Sequence, residues 1–362
     1  MLKQLNIRNF TVFKQANFEF ASGLNVIVGE NGTGKSHVLK LAYAVIAESE
    51  SQGRPKEPRK ITKKLLGNIY ADKLLNVFRA NKLEQFVRRN SWYESQKHNV
   101  NEWVTNQHLH ISFLFTDSVL DFAFNYQMMF AAPLQPTEFN FSHLPQNWIK
   151  DKAVFMPTRE LMTIYPGFPS LYETRYLQFE EIYYDTCLLL GEPLLKKPMT
   201  DLLSILEEVM GGKVELDRDR FYLVTPEQGK IEMPMVAEGI RKLAMLAQLI
   251  AVGALQKHGY LFWDEPEANL NPRLIKVVAR VILQLAKAGI QVFIATHSLF
   301  LLRELEVLQA VEKKPVPQRY FALKQTADGV EVEQGNAIDD LQTLVLLDEE
   351  LQQSDRYMAL EQ

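Results

Sequence analysis

The feature that most constrains the fold is the stretch Gly29-Glu30-Asn31-Gly32-Thr33-Gly34-Lys35-Ser36, which follows the apolar run 24–28. It has the pattern G-x-x-x-x-G-K-[ST] of a phosphate-binding loop, whose glycines let backbone N–H groups turn toward phosphate oxygens. The pattern predicts that Lys35 reaches the β- and γ-phosphates of a nucleotide and that the Ser36 hydroxyl binds Mg²⁺. Apolar spacing predicts a strand before the loop and a helix after it, over 36–47.

Composition narrows the class of protein. The chain has 362 residues, 47% of them hydrophobic and 23% charged, which is typical of a folded globular protein rather than a disordered one. Cys187 is the only cysteine, so an intramolecular disulfide and a Cys-rich zinc site are both excluded. We find no opening signal peptide and no apolar run near the roughly 20 residues that a spanning helix needs. We therefore expect a cytoplasmic protein without a membrane partner.

Charge is distributed unevenly along the chain. The net charge is −4, but residues 54–97 carry twelve Lys and Arg against four acids, leaving +8 there and −12 in the remainder. A solvated basic arm accounts for this asymmetry, and so does contact with nucleic acid, nucleotide phosphate or an acidic partner. The basic segment 54–97 is therefore a candidate contact for nucleic acid.

The coarse pattern predicts a mixed α/β fold. Residues 1–20 alternate apolar and polar twice, and 108–115 and 119–126 do so again, which predicts antiparallel strands. Segments 172–190 and 200–210 are predicted as helices, 213–234 as a small meander and 133–145 as a loop. From 237 onward apolar strands alternate with helices, which is typical of a parallel sheet that binds ligands at the carboxyl ends of its strands.

The second half of the chain supplies two further motifs. The apolar strand 260–263 ends in Asp264-Glu265-Pro266, and the apolar strand 290–295 ends in Thr296-His297-Ser298. A carboxylate at the first strand end suits Mg²⁺, so Asp264 is the candidate metal partner, while Glu265 is placed to polarise an attacking water.

The order of these motifs resembles the ABC-type ATPase heads, closest to the RecF, SMC and OLD-type group. Within that group, the phosphate loop and Trp263-Asp264-Glu265-Pro266-Glu267-Ala268-Asn269-Leu270-Asn271-Pro272 most resemble compact bacterial ATPases of anti-phage systems such as Septu. The motifs span residues 1–300. The resemblance implies one ABC-type domain over 1–362, with a RecA-like mixed or parallel core and an antiparallel β subdomain. Additions to that core would be a basic insertion at 50–105, a short helical lid at 166–212, and a strand pair with an acidic helical tail at 300–362.

The resemblance also assigns roles. It implies ATP and Mg²⁺ bound between two copies of the chain, in a homodimer or higher oligomer, with all of residues 29–36 around the phosphates. Glu265 would be the catalytic base, Asn269 would belong to the loop 268–272 that crosses the dimer interface, and His297 would bond the γ-phosphate. The signature motif of the family falls at 236–242, where Gly239 and Arg241 fit but Ala237 stands in place of a serine.

Three departures from the family pattern shape the expectations. The segment 157–160 lacks the usual Mg²⁺-binding glutamine, for which Glu160 or Thr158 could substitute. Only about 75 residues lie between Glu160 and Val236, without sustained heptads, so a long coiled-coil arm is not expected. About 65 residues follow His297, too few for a nuclease domain, so we expect any effector to be encoded separately.

Three hypotheses about function follow. The first is an ABC-type ATPase that dimerises around Mg·ATP and regulates a separate nuclease or toxin in bacterial anti-phage defence. The second is a RecF-like DNA-binding ATPase in repair or maintenance, suggested by the basic segment 54–97. The third is an ATP-binding sensor with little hydrolysis, suggested by Ala237.

Overall fold

Two compact units are formed by interleaved parts of the chain, and each is described separately. Unit 1 comprises Met1–Ser22, Ile27–Lys150 and Arg319–Gln362, and unit 2 comprises Gly23–Val26 and Asp151–Gln318. The computed structural model describes residues 1–88, 104–129, 132–133, 139–175, 177–255, 258–342 and 344–360. The expectation of a single domain over 1–362 stays a prediction.

The main sheet of unit 1 is antiparallel. Its strands are β1 (Leu2–Phe10), β2 (Phe13–Glu19), β4 (Val104–Phe115), β5 (Val119–Met129), β6 (Ala132–Pro133) and β7 (Phe139–His143). Their order is β2-β1-β4-β5, with β6 and β7 both paired to β5. The predicted alternation is confirmed in β1, where Leu5, Ile7 and Phe10 are buried while their neighbours are more exposed.

One prediction about this sheet is wrong. Residues 133–145 were expected to form a loop because they contain proline and asparagine, but 139–143 form strand β7. Its backbone pairs with β5, bringing Phe141 opposite Phe122, and both rings are buried. Distant pairing thus decided the structure of this segment, because β-strand preference depends strongly on context.

Unit 1 also contains three α-helices. They are α1 (Lys35–Gly53), α2 (Lys63–Phe78) and α9 (Val345–Ala359). Helix α2 begins where the Thr62 hydroxyl accepts the N–H of Leu65, a standard N-cap. The predicted C-terminal strand pair is confirmed as β14 (Gln318–Thr326) and β15 (Gly329–Gly335), paired antiparallel. Residues 349–360 of the acidic tail are exposed.

The sheet of unit 2 is parallel. Strand β12 (Tyr260–Asp264) lies between β13 (Gln291–Thr296) and β8 (Ala153–Met156). The first residues of β3 (Leu24–Gly29) lie beside β13, where Val292 donates its N–H to the carbonyl of Gly23 at 2.8 Å. All of β13 and the first four residues of β12 are buried, as predicted for parallel strands with both faces covered.

Helices and a small meander complete unit 2. The helices are α3 (Phe168–Thr174), α4 (Glu181–Leu190), α5 (Thr200–Met210), α6 (Glu238–Ala251), α7 (Pro272–Lys287) and α8 (Leu299–Ala310). The predicted meander is confirmed as β9 (Lys213–Asp217), β10 (Arg220–Thr225) and β11 (Gly229–Glu232). The single helix expected over 172–190 is instead two helices, α3 and α4.

The predicted additions to the core lie at 50–105, 166–212 and 300–362. Residues 166–212 contain helices α3–α5, and the expectation that this segment is an inserted lid stays a prediction. The tail predicted from 300 begins inside helix α8, before the strand pair. Two of the basic residues counted in 54–97, Arg89 and Lys97, lie outside the described residues. Among the described helices, none is long and apolar enough to span a bilayer.

Candidate nucleotide site

The phosphate loop in unit 1 is shaped by glycines with left-handed backbone. Gly32 and Gly34 have φ angles of 83° and 90°, a region that other residues occupy only at a cost. A Cβ on Gly34 would lie 2.7 Å from Cγ2 of Val12 and 2.8 Å from the ring of Phe13, whereas a Cβ on Gly32 would meet nothing within 4 Å. The loop is therefore tightly packed at Gly34 and has open space at Gly32.

Internal hydrogen bonds brace the same loop. Lys35 is buried, and its amine donates to the carbonyls of Gly29 and Glu30, at 2.8 Å each. The Thr33 hydroxyl also donates to Glu30 at 2.8 Å. The lysine thus lies inside the loop, while Glu30 and Asn31 are exposed and Ser36 is half-buried.

The start of helix α1 is suited to an anion. It has no side-chain N-cap and no acidic residue in its first turn, so no carboxylate competes for its N–H groups. A helix N-terminus of this kind favours negative charge and is the usual seat of a bound phosphate. The loop and helix together fit the phosphates of a nucleotide.

The candidate catalytic groups lie together in unit 2. Asp264 and Ala295 are partners in the parallel pairing of β12 and β13, so the residues that follow them leave the sheet at the same edge. There, Nδ1 of His297 lies 3.4 Å from Oε1 of Glu265. Both side chains are partly exposed, at 48% and 28%. The structure therefore brings together two residues that are 32 positions apart in sequence.

Glu265 has an unusual backbone conformation. Its φ angle is 47°, and a left-handed conformation costs a non-glycine residue about 1–3 kcal/mol. Surrounding contacts hold it there: its N–H donates to the carbonyl of Ala295 at 2.9 Å, and its carbonyl accepts the N–H of Ala268 at 3.1 Å. Such outliers are commonly found at functional sites.

Two buried charged residues beside this centre were not predicted from sequence. The Glu267 carboxylate accepts the hydroxyl of Thr296 at 2.6 Å and the N–H of His297 at 3.2 Å, which fixes the histidine segment. Lys242 is 2% exposed and donates to the carbonyls of Glu265 and Ala268, at 2.7 and 3.2 Å. Burial lowers the pKa of Lys242 to about 8, although nearby carboxylates, that of Glu267 foremost, act to raise it.

In the sequence, the only indication that Glu267 and Lys242 belong to the site is that each lies close to a predicted motif. Glu267 follows the predicted acidic pair by two positions, and Lys242 follows Arg241 directly. A charged residue adjacent to a motif is ordinarily solvated, so neither spacing distinguishes an exposed charge from a buried one.

The predicted signature segment forms the beginning of helix α6. Ala237 is the exposed N-cap residue, and no side chain caps the helix there. Gly239 is buried where the loop after β12 approaches closely, since an added Cβ would lie 3.0 Å from the carbonyl oxygen of Asn269. Asn269 is exposed, has a φ angle of 62°, and donates its amide to Glu238 at 2.9 Å.

Arg241 and Glu160 form an ion pair in which Glu160 is buried and Arg241 is partly buried. Nε of Arg241 donates to Oε1 of Glu160 at 2.8 Å, and its Nη1 donates to the carbonyl of Val236. Glu160 is 3% exposed and also accepts bonds from Thr163 and from the N–H of Met162. These bonds favour a structural role for Glu160 over the metal-binding role predicted for it, and they engage the Arg241 guanidinium within its own chain.

The predicted Mg²⁺ ligands are supported by their donor chemistry. Within the described part of the chain, no group of three or more His, Cys, Asp or Glu side chains is arranged to hold a metal ion. The predicted donors are a hydroxyl, Ser36, and a carboxylate, Asp264. Mg²⁺ keeps several of its waters and binds substrate phosphates, so it needs only a few oxygen ligands from the protein. A hydroxyl and a carboxylate therefore fit that ion.

The fold is that of a P-loop NTPase of the ABC-ATPase type. A solved SMC head bound to the C-winged helix domain of ScpA has 12% identity and a TM-score of 0.56, covering 94% of this chain and 99% of that one. The SMC head domain from Thermotoga maritima has 12% identity and a TM-score of 0.50, covering 92% of this chain and 98% of that one. A third structure is the Smc head domain with an extended coiled coil, bound to the C-terminal domain of ScpA, from Pyrococcus furiosus. It has 12% identity and a TM-score of 0.50, covering 99% of each chain. At this identity the likeness shows the fold alone.

A family model gives the more particular assignment. The model described as "AAA domain, putative AbiEii toxin, Type IV TA system" matches residues 24–303. This match covers well over half of the chain, so the chain belongs to that family. A comparison with curated proteins found no match.

Proposed function

We propose that this protein binds Mg·ATP and hydrolyses it to ADP and phosphate. The observation that carries the proposal is the pairing of Glu265 with His297, 3.4 Å apart at the carboxyl end of a parallel strand pair. Glu265 acts as the general base that accepts a proton from the attacking water. His297 is the candidate hydrogen-bond partner of the γ-phosphate.

The phosphate loop supplies binding and orientation. The N–H groups at the start of helix α1 and the amine of Lys35 bind phosphate oxygens, for which the lysine exchanges its bonds to Gly29 and Glu30. Of the two predicted Mg²⁺ ligands, Ser36 offers a hydroxyl and Asp264 a carboxylate, and the ion, when bound, would neutralise charge on the phosphates.

The test is ATP turnover by three variants beside the wild type. Glu265→Gln removes the base and is expected to lower kcat by at least about 100-fold, in line with the usual contribution of general base catalysis. Lys35→Ala is expected to weaken ATP binding, and Glu227→Gln, an exposed turn carboxylate, should match the wild type. Absence of turnover in the wild type would instead favour the sensor hypothesis.

We further propose that two or more copies assemble around ATP and that the cycle controls a separately encoded nuclease or toxin in anti-phage defence. The exposed N-cap residue Ala237, where no side chain caps helix α6, supports a role in binding a second nucleotide, while the Glu238 carboxylate of the first turn is engaged by the Asn269 amide. The family description, with its toxin and toxin–antitoxin system, supports the defence setting. Light scattering of Glu265→Gln should show a larger mass with ATP than without it, and an unchanged mass would refute nucleotide-driven assembly. Affinity purification from the native host, with mass spectrometry, tests for the effector.

Nucleic-acid binding is the second candidate function. Within residues 54–64 of the basic segment, six cations are exposed: Arg54, Lys56, Arg59, Lys60, Lys63 and Lys64. If they contact phosphates, duplex DNA binding should weaken steeply with salt and be lost when the last five are changed to Gln. Arg88 is a poorer test residue because its guanidinium donates to the carbonyl of Asp328 at 2.7 Å. Salt-independent binding, or binding that survives these changes, would contradict a RecF-like role.

A further inference from the structure

Lys242 contacts the catalytic loop from a different element of unit 2. It lies in the first turns of helix α6, and its amine reaches the carbonyls of Glu265 and Ala268, at 2.7 and 3.2 Å. These two carbonyls flank the turn that follows strand β12. The lysine therefore connects the start of one helix to the backbone of the proposed base.

The bond falls where the backbone most needs support. Glu265 is left-handed, with a φ angle of 47°, so its side-chain direction depends on contacts that hold the peptide units on either side. Its N–H is fixed by Ala295 and its carbonyl by Ala268 and Lys242. Of these contacts, the one from Lys242 comes from a side chain, so it can be removed by substitution without changing the backbone.

The buried amine of Lys242 is surrounded by hydrogen-bond acceptors and carboxylates. The amine is almost fully buried, and burial of an ammonium group is unfavourable unless it is paired and hydrogen-bonded. Burial lowers the pKa of Lys242 to about 8, and the carboxylates of Glu267, Glu265 and Asp264 oppose that shift. The carbonyls of Glu265 and Ala268 accept hydrogen bonds from this amine and so offset the cost of burying it.

Further contacts join the same two elements. Asn269 donates to Glu238 in the first turn of α6, and the backbone of Asn269 packs against Gly239. The start of α6 and the loop 265–269 are thus joined at several points, and Lys242 makes the contact that reaches Glu265 itself.

We propose that Lys242 is a positioning residue for Glu265, holding the base in its left-handed conformation and coupling it to the start of helix α6. The proposal rests on the proposed role of Glu265 as catalytic base. It assigns Lys242 no contact with the nucleotide, so ATP affinity and turnover should respond differently to its loss.

The test compares Lys242→Met with the wild type, Glu265→Gln and a lysine control. Methionine keeps much of the side-chain length but cannot donate or carry charge. We expect kcat to fall at least about 10-fold while the ATP Kd stays within about threefold. Lys276→Met, which removes an exposed lysine from helix α7, should leave both quantities unchanged. If Lys242→Met does not fold, as judged by circular dichroism, Lys242→Gln is measured by the same two criteria.

The outcomes separate the two proposals. Turnover that is lost in Glu265→Gln but retained in the Lys242 variant, or a Kd that weakens in proportion to kcat, overturns the role of Lys242 alone. Turnover that is absent in the wild type or unaffected by Glu265→Gln overturns the role of the base, and that of Lys242 with it.

Discussion

Replacing Gly34 by alanine tests how tightly the phosphate loop is packed against the β-hairpin of unit 1. The added methyl group would lie 2.7 Å from Val12 and 2.8 Å from Phe13, distances that require these side chains to move. Phe13 is fully buried, so it has little room to do so. Gly32 provides a matched control, because its φ angle of 83° is close to the 90° of Gly34 but a methyl group there meets nothing within 4 Å.

The expected magnitudes follow from these geometries. Left-handed backbone costs an alanine about 1–2 kcal/mol at either position, and the lower entropy of the unfolded chain returns about 0.4–1 kcal/mol. Overpacking adds about 1–3 kcal/mol at Gly34 alone. Gly34→Ala should therefore lower the free energy of unfolding by about 1–3 kcal/mol more than Gly32→Ala does.

Urea denaturation without nucleotide measures this difference, provided that two spectroscopic probes give the same transition. Equal destabilisation by the two variants would refute the steric argument, since only the shared backbone cost would then remain. A third variant, Gly34→Ala with Phe13→Leu, should recover part of the loss relative to Phe13→Leu alone, because the smaller side chain makes room for the methyl group.

Three further predictions concern buried or capping groups. Glu160→Ala should destabilise the protein by about 3–5 kcal/mol in urea denaturation, because it leaves the partly buried Arg241 without its carboxylate. As a control, Glu192→Ala breaks the more exposed pair with Lys152 and should cost under about 1 kcal/mol. Burial raises the pKa of Cys187 to about 12, so the native thiol should stay unmodified by a thiol reagent at pH 8 and react once unfolded; rapid native reaction would contradict its burial. Thr62→Ala should cost about 1 kcal/mol by removing the N-cap of helix α2, whereas Thr62→Ser should cost little, and equal losses would show that the hydroxyl bond is unimportant.

The sequence by itself predicted the parts of the protein that depend on local pattern. The phosphate loop needs glycine at fixed positions because of its backbone conformation, so its residues identify it before any fold is known. The buried strands ending at Asp264 and Thr296 were predicted for a similar reason, since continuous apolar runs are typical of parallel strands covered on both faces. Their adjacency then follows from the rule that parallel strands end at one edge of the sheet.

Only the tertiary structure decided what neighbouring charges do. Arg241 and Lys242 are adjacent in sequence, but Arg241 pairs with Glu160 while Lys242 bonds the backbone of Glu265. Successive residues of a helix point about 100° apart, so each meets a partner set by the packing of distant elements. The left-handed conformation of Glu265 is likewise absent from any local pattern, because long-range contacts maintain it against its intrinsic cost. Motif residues could thus be located from the sequence, whereas the contacts that orient them required the folded chain.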